Sequence, residues 1–406
     1  MSGAQLITHG CRLNIAESDR IAAMLGGADD LIVVNSCAVT AEAVKTARRA
    51  IRRAKREHPD ARIVVTGCAA QIEPETFRAM GEVSDVVPNT AKLDLSHYLP
   101  SPGLHAAWRV TPEARASAAA THTRTFVPVQ NGCDHRCTFC IIPFGRGPSR
   151  SLPAGGVIDE VRSAVAAGAR EVVLTGVDLT AYGADLPGQP ALGSLVERIL
   201  RHVPDLPRLR LSSLDPCEID DRLLDLIAHE PRVMPHVHLS LQSGDDMILK
   251  RMKRRHNRAQ AVNLVHRLRA ARPSMAIGAD LIAGFPTEDE AMFANSLALI
   301  DDCAITMAHI FPYSPRAGTP AARMPQLPRP IVRQRAAGLR EMAARRKAAW
   351  MRAQIGTVKQ VLIELDGTSG HAEDFAQVML PAGTPNTIVP TLIVAVSDDV
   401  LVGMAA

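Results

Sequence analysis

The sequence alternates short apolar runs with helix-length amphipathic segments, and this alternation is the strongest constraint on its fold. Three runs, AQLITH, DLIVVNS and ARIVVTG, lie within 1–100. A second alternation begins at FVPVQNG and continues through EVVLTGV, RLRLSSL, HVHLSLQ, AIGADLIAGF and AHIFPYS. The pattern predicts an α/β protein with an N-terminal parallel α/β domain over 1–100 and a partial TIM-like (β/α)6 barrel over 124–350.

Two further segments complete the predicted organisation. Residues 101–123 are rich in Pro, Ala, Ser and Thr without sustained periodicity, which indicates an interdomain linker. A long Arg-rich helical stretch ends the barrel region, and 351–406 combine short strand-like runs with Gly and Pro turns. We interpret this C-terminal segment as a small β-barrel domain.

Composition narrows the functional classes. The chain has 406 residues, of which 47% are hydrophobic and 22% charged, as in soluble globular proteins. No run approaches the roughly 18 to 20 apolar residues of a membrane span, and the N-terminus lacks a signal-peptide pattern. We therefore expect a cytoplasmic protein with no membrane partner. Eight cysteines in that compartment indicate metal or redox chemistry rather than disulfides.

Three of these cysteines, Cys133, Cys137 and Cys140, stand close together in NGCDHRCTFCIIPFGRG. Structural zinc takes four protein ligands, usually as CxxC pairs, so the CxxxCxxC spacing matches it poorly. A cubane iron–sulfur cluster held by three thiolates keeps one iron open. The loop follows the first strand of the second alternation, where barrel active sites form. We predict such a cluster; packing cysteines, or zinc with a distant fourth ligand, are the alternative.

This loop, with Phe139 beside its last cysteine, resembles the radical S-adenosylmethionine (SAM) superfamily. The resemblance implies that SAM chelates the open iron and is cleaved to a 5′-deoxyadenosyl radical, which abstracts hydrogen from an inert C–H bond. It also implies SAM contacts at later strand ends, in LTGVD, RLSSLDP, LSLQSG and IGADLIAGFPTED. The candidate SAM-binding residues are Phe139, Asp178, Ser212, Ser213, Gln242 and Ser243. For a serine or aspartate there, a helix cap is the alternative.

Three more cysteines share one position in the first domain. Cys11, Cys37 and Cys68 follow the strand-like runs of LITHGC, VVNSC and VVTGC. Because the carboxyl ends of parallel strands line one crevice, we expect the three thiols to converge and to hold a second cluster with an open iron. Their alternative is to be buried hydrophobes. Cys217 and Cys303 stand alone, and we interpret them as buried free thiols.

An N-terminal domain with three cysteines followed by a radical SAM barrel resembles the methylthiotransferase family. The matching stretches are THGCRLNIAESDR, VVNSCAVTAEA, VTGCAAQ and NGCDHRCTFCIIPFGRGPSRS. The resemblance implies two [4Fe-4S] clusters, one generating the radical and one presenting sulfur that a first SAM methylates. It further implies a sulfide or persulfide source and an electron donor such as flavodoxin or ferredoxin.

The wording GCRLNIAES and CTFCIIPFGRGPSRS most resembles the branch that modifies threonylcarbamoyladenosine beside the tRNA anticodon, at C2. It differs from the GCxMN wording of the isopentenyladenosine branch and from the GCPKN wording of the branch that modifies an aspartate of a ribosomal protein. We therefore predict a tRNA methylthiotransferase acting on threonylcarbamoyladenosine, with the other two substrates as alternatives.

Charge placement adds a separate argument for tRNA as the partner. Lys and Arg, which neutralise phosphates, are concentrated in three segments, KTARRAIRRAKREH, KRMKRRHNR and RRKAAWMR. The alternative is that these are ordinary solvent-exposed helix faces, which are also rich in Lys and Arg. The C-terminal domain resembles the RNA-binding TRAM domain, with Phe375 as the aromatic in GHAEDFAQVMLPAG; a domain that only caps the barrel is the alternative.

Two rival functions stay open from the sequence. One is a non-catalytic RNA-binding protein that uses the cysteines as structural metal ligands, with His135 as a conceivable fourth ligand. We expect His135 to be an exposed loop residue instead. The other is a radical SAM enzyme whose second cluster only transfers electrons and makes no methylthio product.

Overall fold

The computed structural model describes residues 4–26, 28, 30–98 and 123–406. The predicted linker over 101–123 lies, apart from Thr123, outside these residues. The described residues form two compact units. The first combines the N-terminal residues up to 98 with 131–150 and 314–319, and the second combines 123–130, 151–313 and 320–406. The domain boundaries drawn from the sequence stay a prediction.

A parallel four-stranded sheet forms the centre of the first unit. Its strands, in spatial order, are β1 (Gln5–Thr8), β2 (Leu31–Ser36), β3 (Arg62–Gly67) and β4 (Asp85–Val86). Every residue of β2 is buried, as expected for a strand covered on both faces. The helices are α1 (Arg12–Met24), α2 (Ala41–Glu57), α3 (Cys68–Ile72), α4 (Pro74–Arg78) and α5 (Ile142–Arg146), with a 3₁₀ turn at Leu95–His97. The predicted βαβαβ domain is confirmed.

Helix α2 shows how local sequence sets these elements. Its N-cap is Thr40, whose hydroxyl accepts a hydrogen bond from the Ala43 amide at 3.1 Å. Val44 and Ile51 lie on the buried stripe of the helix, and its Lys and Arg residues lie away from that stripe. The helix therefore packs one face on the sheet and leaves a basic face outside.

The second unit contains the strands of the partial barrel. Strands β5 (Arg124–Pro128), β8 (Glu171–Thr175) and β9 (Leu209–Leu211) form one parallel sheet; β10 (Ser213–Leu214), β11 (His236–Gln242), β12 (Ala276–Ala283) and β13 (Ile305–Pro312) form the next. Ser212 alone separates β9 from β10. The two short strands β6 (Gln130–Asn131) and β7 (Arg150–Ser151) flank the CxxxCxxC loop in sequence. Six successive strand positions confirm the predicted six-unit barrel.

Helices connect these strands and cover them. They are α6 (Ala154–Ala166), α7 (Leu192–His202), α8 (Asp221–His229), α9 (Asp246–Met252), α10 (Arg258–Ala271) and α11 (Glu290–Asp302), with 3₁₀ turns at Leu179–Ala181 and Pro320–Arg323. The long helix α12 (Arg329–Arg352) follows the last strand. One apolar cluster, which includes Val127, Leu174, Leu239 and Ile277, fills the space between strands and helices. Among the described residues, no helix has the length and apolar character needed to cross a membrane.

The C-terminal segment forms a closed five-stranded β-barrel, as predicted. Its strands are β14 (Val358–Ile363), β15 (Ser369–His371), β16 (Gln377–Met379), β17 (Ile388–Ser397) and β18 (Val400–Ala405), closed in the order β14-β15-β16-β18-β17. Val361, Val378, Ile393 and Leu401 are buried in its core.

Phe375 of this small barrel faces the amino ends of the larger barrel's strands. Its ring lies 4.7 Å from the Arg210 guanidinium and 5.2 Å from the His236 ring. Beside it, Glu171 is fully buried and accepts hydrogen bonds from Arg210 and Arg124 at 2.9 Å. The aromatic side chain considered for stacking on RNA is therefore packed as part of a cap on the barrel.

Candidate functional site

The structure places Cys11, Cys37 and Cys68 at one edge of the first unit's sheet. Cys37 and Cys68 directly follow β2 and β3, and Cys11 lies in the short turn between β1 and α1. Cys37 and Cys68 are buried, Cys11 is exposed, and all three are free thiols. Burial raises the pKa of the Cys37 thiol to about 11, and the charges of Cys68 and Cys11 also raise it. The three cysteines therefore lie at one edge of the sheet, and their convergence on one cluster stays a prediction.

Two glycines make room for these cysteines. Gly10 has φ +108°, and a Cβ there would lie 2.9 Å from Cys37 Cβ and 3.1 Å from Cys37 Sγ. Gly67, at φ +94°, would place a Cβ 2.3 Å from the Ser36 carbonyl oxygen. Only glycine fits both the backbone conformation and the space. Three thiols at one sheet edge, held by loops this close, are a donor set that suits an iron–sulfur cluster with three thiolate ligands.

A buried polar network lies beside the same cysteines. The Arg146 guanidinium donates to both carboxylate oxygens of Glu17, at 2.8 and 3.0 Å, and to Asn14 Oδ1 at 2.5 Å and Asn131 Oδ1 at 2.9 Å. Lys92 Nζ lies 2.5 Å from Glu17 Oε2. Glu17, Lys92 and Arg146 are each at most 5% exposed. The network joins α1 to the segment that follows the CxxxCxxC loop.

The network holds opposite charges in a desolvated place. Burial would raise the pKa of Glu17, but the hydrogen bond and charge of Arg146 and the charge of Lys92 outweigh it, so the pKa lies below its usual value. Burial lowers the pKa of Lys92, and the charge of Glu17 opposes that shift. Burial would also lower the pKa of Arg146, yet Cys68 and Glu17 raise it above its usual value. Arg146 is therefore a permanent cation.

The CxxxCxxC loop lies between residues 131 and 150 of the first unit. The Cys133 amide donates to the Gly147 carbonyl at 3.1 Å, and the Cys140 amide donates to the Cys137 carbonyl at 3.1 Å. Cys133, Cys137, Cys140 and Phe139 are all partly exposed. Gly132 (φ +76°) must be glycine, because a Cβ there would lie 1.9 Å from the Pro148 carbonyl oxygen. A tight turn thus holds three accessible thiols on one short loop.

His135, in the same loop, differs from its expectation. The sequence indicated an exposed loop histidine, but its side chain is half-buried. The loop's close turns bring the ring against the protein, which sequence spacing does not reveal.

Apart from Phe139, which lies in the CxxxCxxC loop of the first unit, the residues predicted to contact SAM lie near the carboxyl ends of strand positions in the second unit. Asp178 follows β8, and its amide donates to Gln130 Oε1 at 2.9 Å. Ser212 stands between β9 and β10, Ser213 begins β10, and Gln242 ends β11 with φ +68°. Because these strands are parallel, the four residues share one end of the barrel. The Ser212 hydroxyl is buried and has no hydrogen-bond partner within the described part of the chain.

Two other motif residues serve the fold. Ser243 Oγ lies 3.3 Å from Ser296 Oγ and accepts the Asp245 amide at 3.2 Å, which matches the capping alternative. In the fifth-strand motif, Glu288 accepts the Gly284 amide and pairs with Arg335 at 3.0 Å. Gly284 has φ +70°, and a Cβ there would lie 2.8 Å from Val332 Cγ2. These contacts hold the motif against helix α12.

Sequence reasoning missed several polar residues. Asn14, Glu17, Lys92 and Arg146 went unnoticed, although Asn14 and Glu17 stand three apart on an otherwise apolar helix face, a signal of buried polarity. In the second unit, Asp280 Oδ1 lies 3.0 Å from His238 Nε2 and 3.2 Å from His309 Nδ1. These three stand on adjacent strands, which only the register reveals.

The basic clusters divide into two kinds. Arg254 and Arg255 pair with Asp215 at 2.7 and 3.3 Å, and Arg255 also pairs with Glu218. These arginines therefore stabilise the strand ends. By contrast, five basic side chains of α2 are exposed: Lys45, Arg49, Arg52, Arg53 and Arg56.

Cys217 and Cys303 also differ from each other. Cys303 is buried, as expected, whereas Cys217 is exposed and its thiol donates to Asp215 at 3.2 Å. The prediction of a buried thiol was therefore wrong for Cys217, because the turn after β10 turns its side chain toward the Asp215 carboxylate instead of the core.

Comparisons with known proteins address the same regions. The sequence model of the radical SAM superfamily matches residues 127–300 of this chain. The sequence model of the uncharacterized protein family UPF0004 matches residues 4–88. Among solved structures, the radical SAM methyltransferase TsrM from Kitasatospora setae aligns with a TM-score of 0.53 and 16% identity, covering 79% of this chain and 77% of that one. This last likeness concerns the fold alone.

Curated relatives extend over nearly the whole chain. It is 48% identical over 393 residues to the threonylcarbamoyladenosine tRNA methylthiotransferase MtaB of Rickettsia prowazekii (strain Madrid E), covering 93% of this chain and 91% of the relative. It is 35% identical over 389 residues to the tRNA-2-methylthio-N(6)-dimethylallyladenosine synthase of Erythrobacter litoralis (strain HTCC2594), covering 88% and 85%. From these near full-length matches, the chain belongs to the radical SAM methylthiotransferase family.

Proposed function

We propose that this enzyme inserts a methylthio group at C2 of N6-threonylcarbamoyladenosine beside the anticodon of tRNA. The observation that carries the proposal is the placement of Cys11, Cys37 and Cys68 after neighbouring parallel strands at one sheet edge, in a chain that also has the CxxxCxxC loop. Two separate three-cysteine sets match a reaction that needs both a radical and a sulfur atom.

We assign one cluster to each set. Cys133, Cys137 and Cys140 would hold the first [4Fe-4S] cluster, and Cys11, Cys37 and Cys68 the second. When bound, the first cluster supplies an electron to SAM at its open iron, and the second presents sulfur at its own. The fit rests on thiol number, on the glycines that admit the cysteines, and on the cationic side chains beside them.

Residues of the barrel would bind SAM. Ser212 is the best supported of them, because a buried hydroxyl without a partner is costly unless a ligand satisfies it. Gln242 adds an amide at the next strand end, where the backbone takes a positive φ. Gln130 Oε1 accepts hydrogen bonds from the Val177 and Asp178 amides, which fixes the backbone that carries Asp178. Phe139 would contribute an apolar surface.

Helix α2 would contribute to the tRNA surface. Several of its exposed cations pair with exposed carboxylates, as Arg49 does with Glu42 at 3.1 Å, and such pairs are weak. Phosphates can therefore compete for them.

The reaction further needs a sulfide or persulfide source and a reductant such as flavodoxin or ferredoxin. We place it in the cytoplasm, where tRNA is modified.

The choice of branch rests on the degree of similarity. Identity to the Rickettsia prowazekii relative, whose name specifies threonylcarbamoyladenosine, is 48%, against 35% to the Erythrobacter litoralis relative, whose name specifies dimethylallyladenosine. The GCRLN wording around Cys11 agrees with this order.

The test uses purified, reconstituted enzyme with SAM, reductant, sulfide and tRNA that carries threonylcarbamoyladenosine. The same tRNA without that group, and tRNA carrying isopentenyladenosine, are the matched controls. We expect the methylthio nucleoside only from the first tRNA. Cys133→Ala should abolish SAM cleavage, whereas Cys37→Ala should keep it and lose sulfur insertion. Equal loss of both activities in Cys37→Ala would contradict the division of roles.

A further inference from the structure

The buried Arg146 lies close to Cys11 and Cys68, and the proposed function gives it no role beyond that of a neighbouring cation. The backbone that leads into Arg146 passes close to Cys68, because a Cβ on Gly145 would lie 3.2 Å from Cys68 Cβ. The Asn14 Oδ1 atom that accepts from Arg146 Nη2 at 2.5 Å also lies 3.8 Å from Cys11 Sγ. Two independent contacts therefore place this cation beside two of the three thiols.

The charges of this network do not balance by themselves. Arg146 and Lys92 both bind Glu17, so two cations share one carboxylate in a place that solvent hardly reaches. A buried charge without compensation is strongly unfavourable. A four-iron core with charge +2 and three thiolate ligands has a net charge of −1. Arg146, Lys92 and Glu17 together have a net charge of +1, which is equal and opposite. The network and the three cysteines thus form a neutral set when a cluster is bound.

We propose that Arg146 is a positioning residue for the second cluster. Arg146 balances the negative charge of the thiolate ligands and, together with Lys92, raises the reduction potential of the cluster. The inference rests on the proposed function, since it takes Cys11, Cys37 and Cys68 as ligands. One-electron reduction adds one negative charge to a cluster. A nearby fixed cation therefore favours the reduced form, and a nearby carboxylate such as Glu17 opposes it.

The position of Arg146 in the sequence gives this role a consequence for the first cluster. Arg146 ends helix α5, six residues after Cys140. Its bonds to Glu17 and Asn14 connect the segment after the CxxxCxxC loop to helix α1, which begins next to Cys11. One side chain therefore serves both three-cysteine sets: its charge acts on one, and its hydrogen bonds anchor the segment that carries the other.

The experiment uses the full chain with Cys133, Cys137 and Cys140 replaced by Ala, so that the second cluster is observed alone. Three variants are made in this parent: Arg146→Met, Arg146→Lys and Glu17→Gln. The midpoint potential is measured by redox titration followed by electron paramagnetic resonance. Arg146→Met should disfavour reduction at least tenfold, about 59 mV for one electron. Glu17→Gln should shift the potential in the opposite direction, and Arg146→Lys should stay near the parent.

A merely structural role would lower cluster content in these variants without opposite shifts in potential. Equal potentials in all variants, or shifts of the same sign in Arg146→Met and Glu17→Gln, would overturn the inference. If Arg146→Met does not fold, Glu17→Gln decides alone, because it removes a charge and keeps an acceptor for Arg146. A parent that assembles no cluster would instead overturn the proposed ligand set.

Discussion

Adding one methyl group at Gly10 should remove the second cluster and leave the first. A Cβ at this position would lie 2.9 Å from Cys37 Cβ and 3.1 Å from Cys37 Sγ. Carbon atoms pack at about 3.5 to 4.0 Å, so in Gly10→Ala either Cys37 or the turn that carries Cys11 has to move. Both possible movements displace a proposed ligand.

The magnitude follows from two contributions. Alanine at φ +108° costs about 1–2 kcal/mol in backbone strain. Overpacking a buried side chain costs roughly 1–3 kcal/mol more. Metal–ligand distances tolerate changes of only about 0.2 Å, so a displaced Cys37 loses the cluster before the protein unfolds. Gly168→Ala is the matched control, because Gly168 has φ +94° and nothing lies within 4 Å of its Cβ position.

The assay is iron content after anaerobic reconstitution, together with thermal unfolding. We expect about eight iron atoms per chain in the parent and in Gly168→Ala, and about four in Gly10→Ala. Both variants should unfold at lower temperature than the parent, Gly10→Ala by the larger amount. A Gly10→Ala enzyme that keeps about eight iron atoms and inserts sulfur would refute the reasoning that Cys37 is a ligand held against this turn.

Three further predictions concern the second unit. Glu171→Gln should destabilise this unit by about 3 kcal/mol at pH 7, because the surrounding arginines hold the pKa of the buried Glu171 at about 2. Since the pKa is depressed, this stability is present above about pH 4.5 and is lost as the pH falls toward about 2. The urea-unfolding curves of parent and variant should therefore converge on acidification, and a constant difference would contradict the ion network. In Ser212→Ala the unfolding temperature should stay the same or rise, since the Ser212 hydroxyl has no partner in the described chain. The KM for SAM should increase about tenfold. An unchanged KM would show that Ser212 does not bind SAM. Phe375→Ala should destabilise the chain by about 2 kcal/mol, because contacts with Arg210 and His236 are lost. Its tRNA affinity in a filter-binding assay should stay unchanged. Weaker tRNA binding at unchanged stability would instead support a role of Phe375 in stacking on RNA.

The fold was predictable because its strands are buried on both faces. Strand Leu31–Ser36 and most of strand Ala276–Ala283 are buried, so they read as continuous apolar runs separated by amphipathic helices. The placement of Cys11, Cys37 and Cys68 at one sheet edge followed from the same logic, since parallel strands end at one edge. Local pattern and topology together were sufficient there.

Other features depend on contacts that no local pattern encodes. Arg146 and Glu17 stand 129 positions apart, and nothing in either segment names the other as its partner. Phe375 reads equally well as a stacking platform or as a packed side chain until Arg210 and His236 are found against it. In the same way, Arg254 and Arg255 read as a phosphate-binding cluster, and only the fold shows that Asp215 already engages them.

The proposed activity is tested most directly by mass spectrometry of tRNA nucleosides from cells with and without this gene. We expect 2-methylthio-N6-threonylcarbamoyladenosine to disappear in the deletion strain while N6-threonylcarbamoyladenosine accumulates. The wild-type gene, but not its Cys37→Ala form, should restore the methylthio nucleoside. Loss of the methylthio derivative of isopentenyladenosine instead would contradict the assigned substrate. Unchanged levels of both methylthio nucleosides would contradict the claim that this enzyme methylthiolates tRNA.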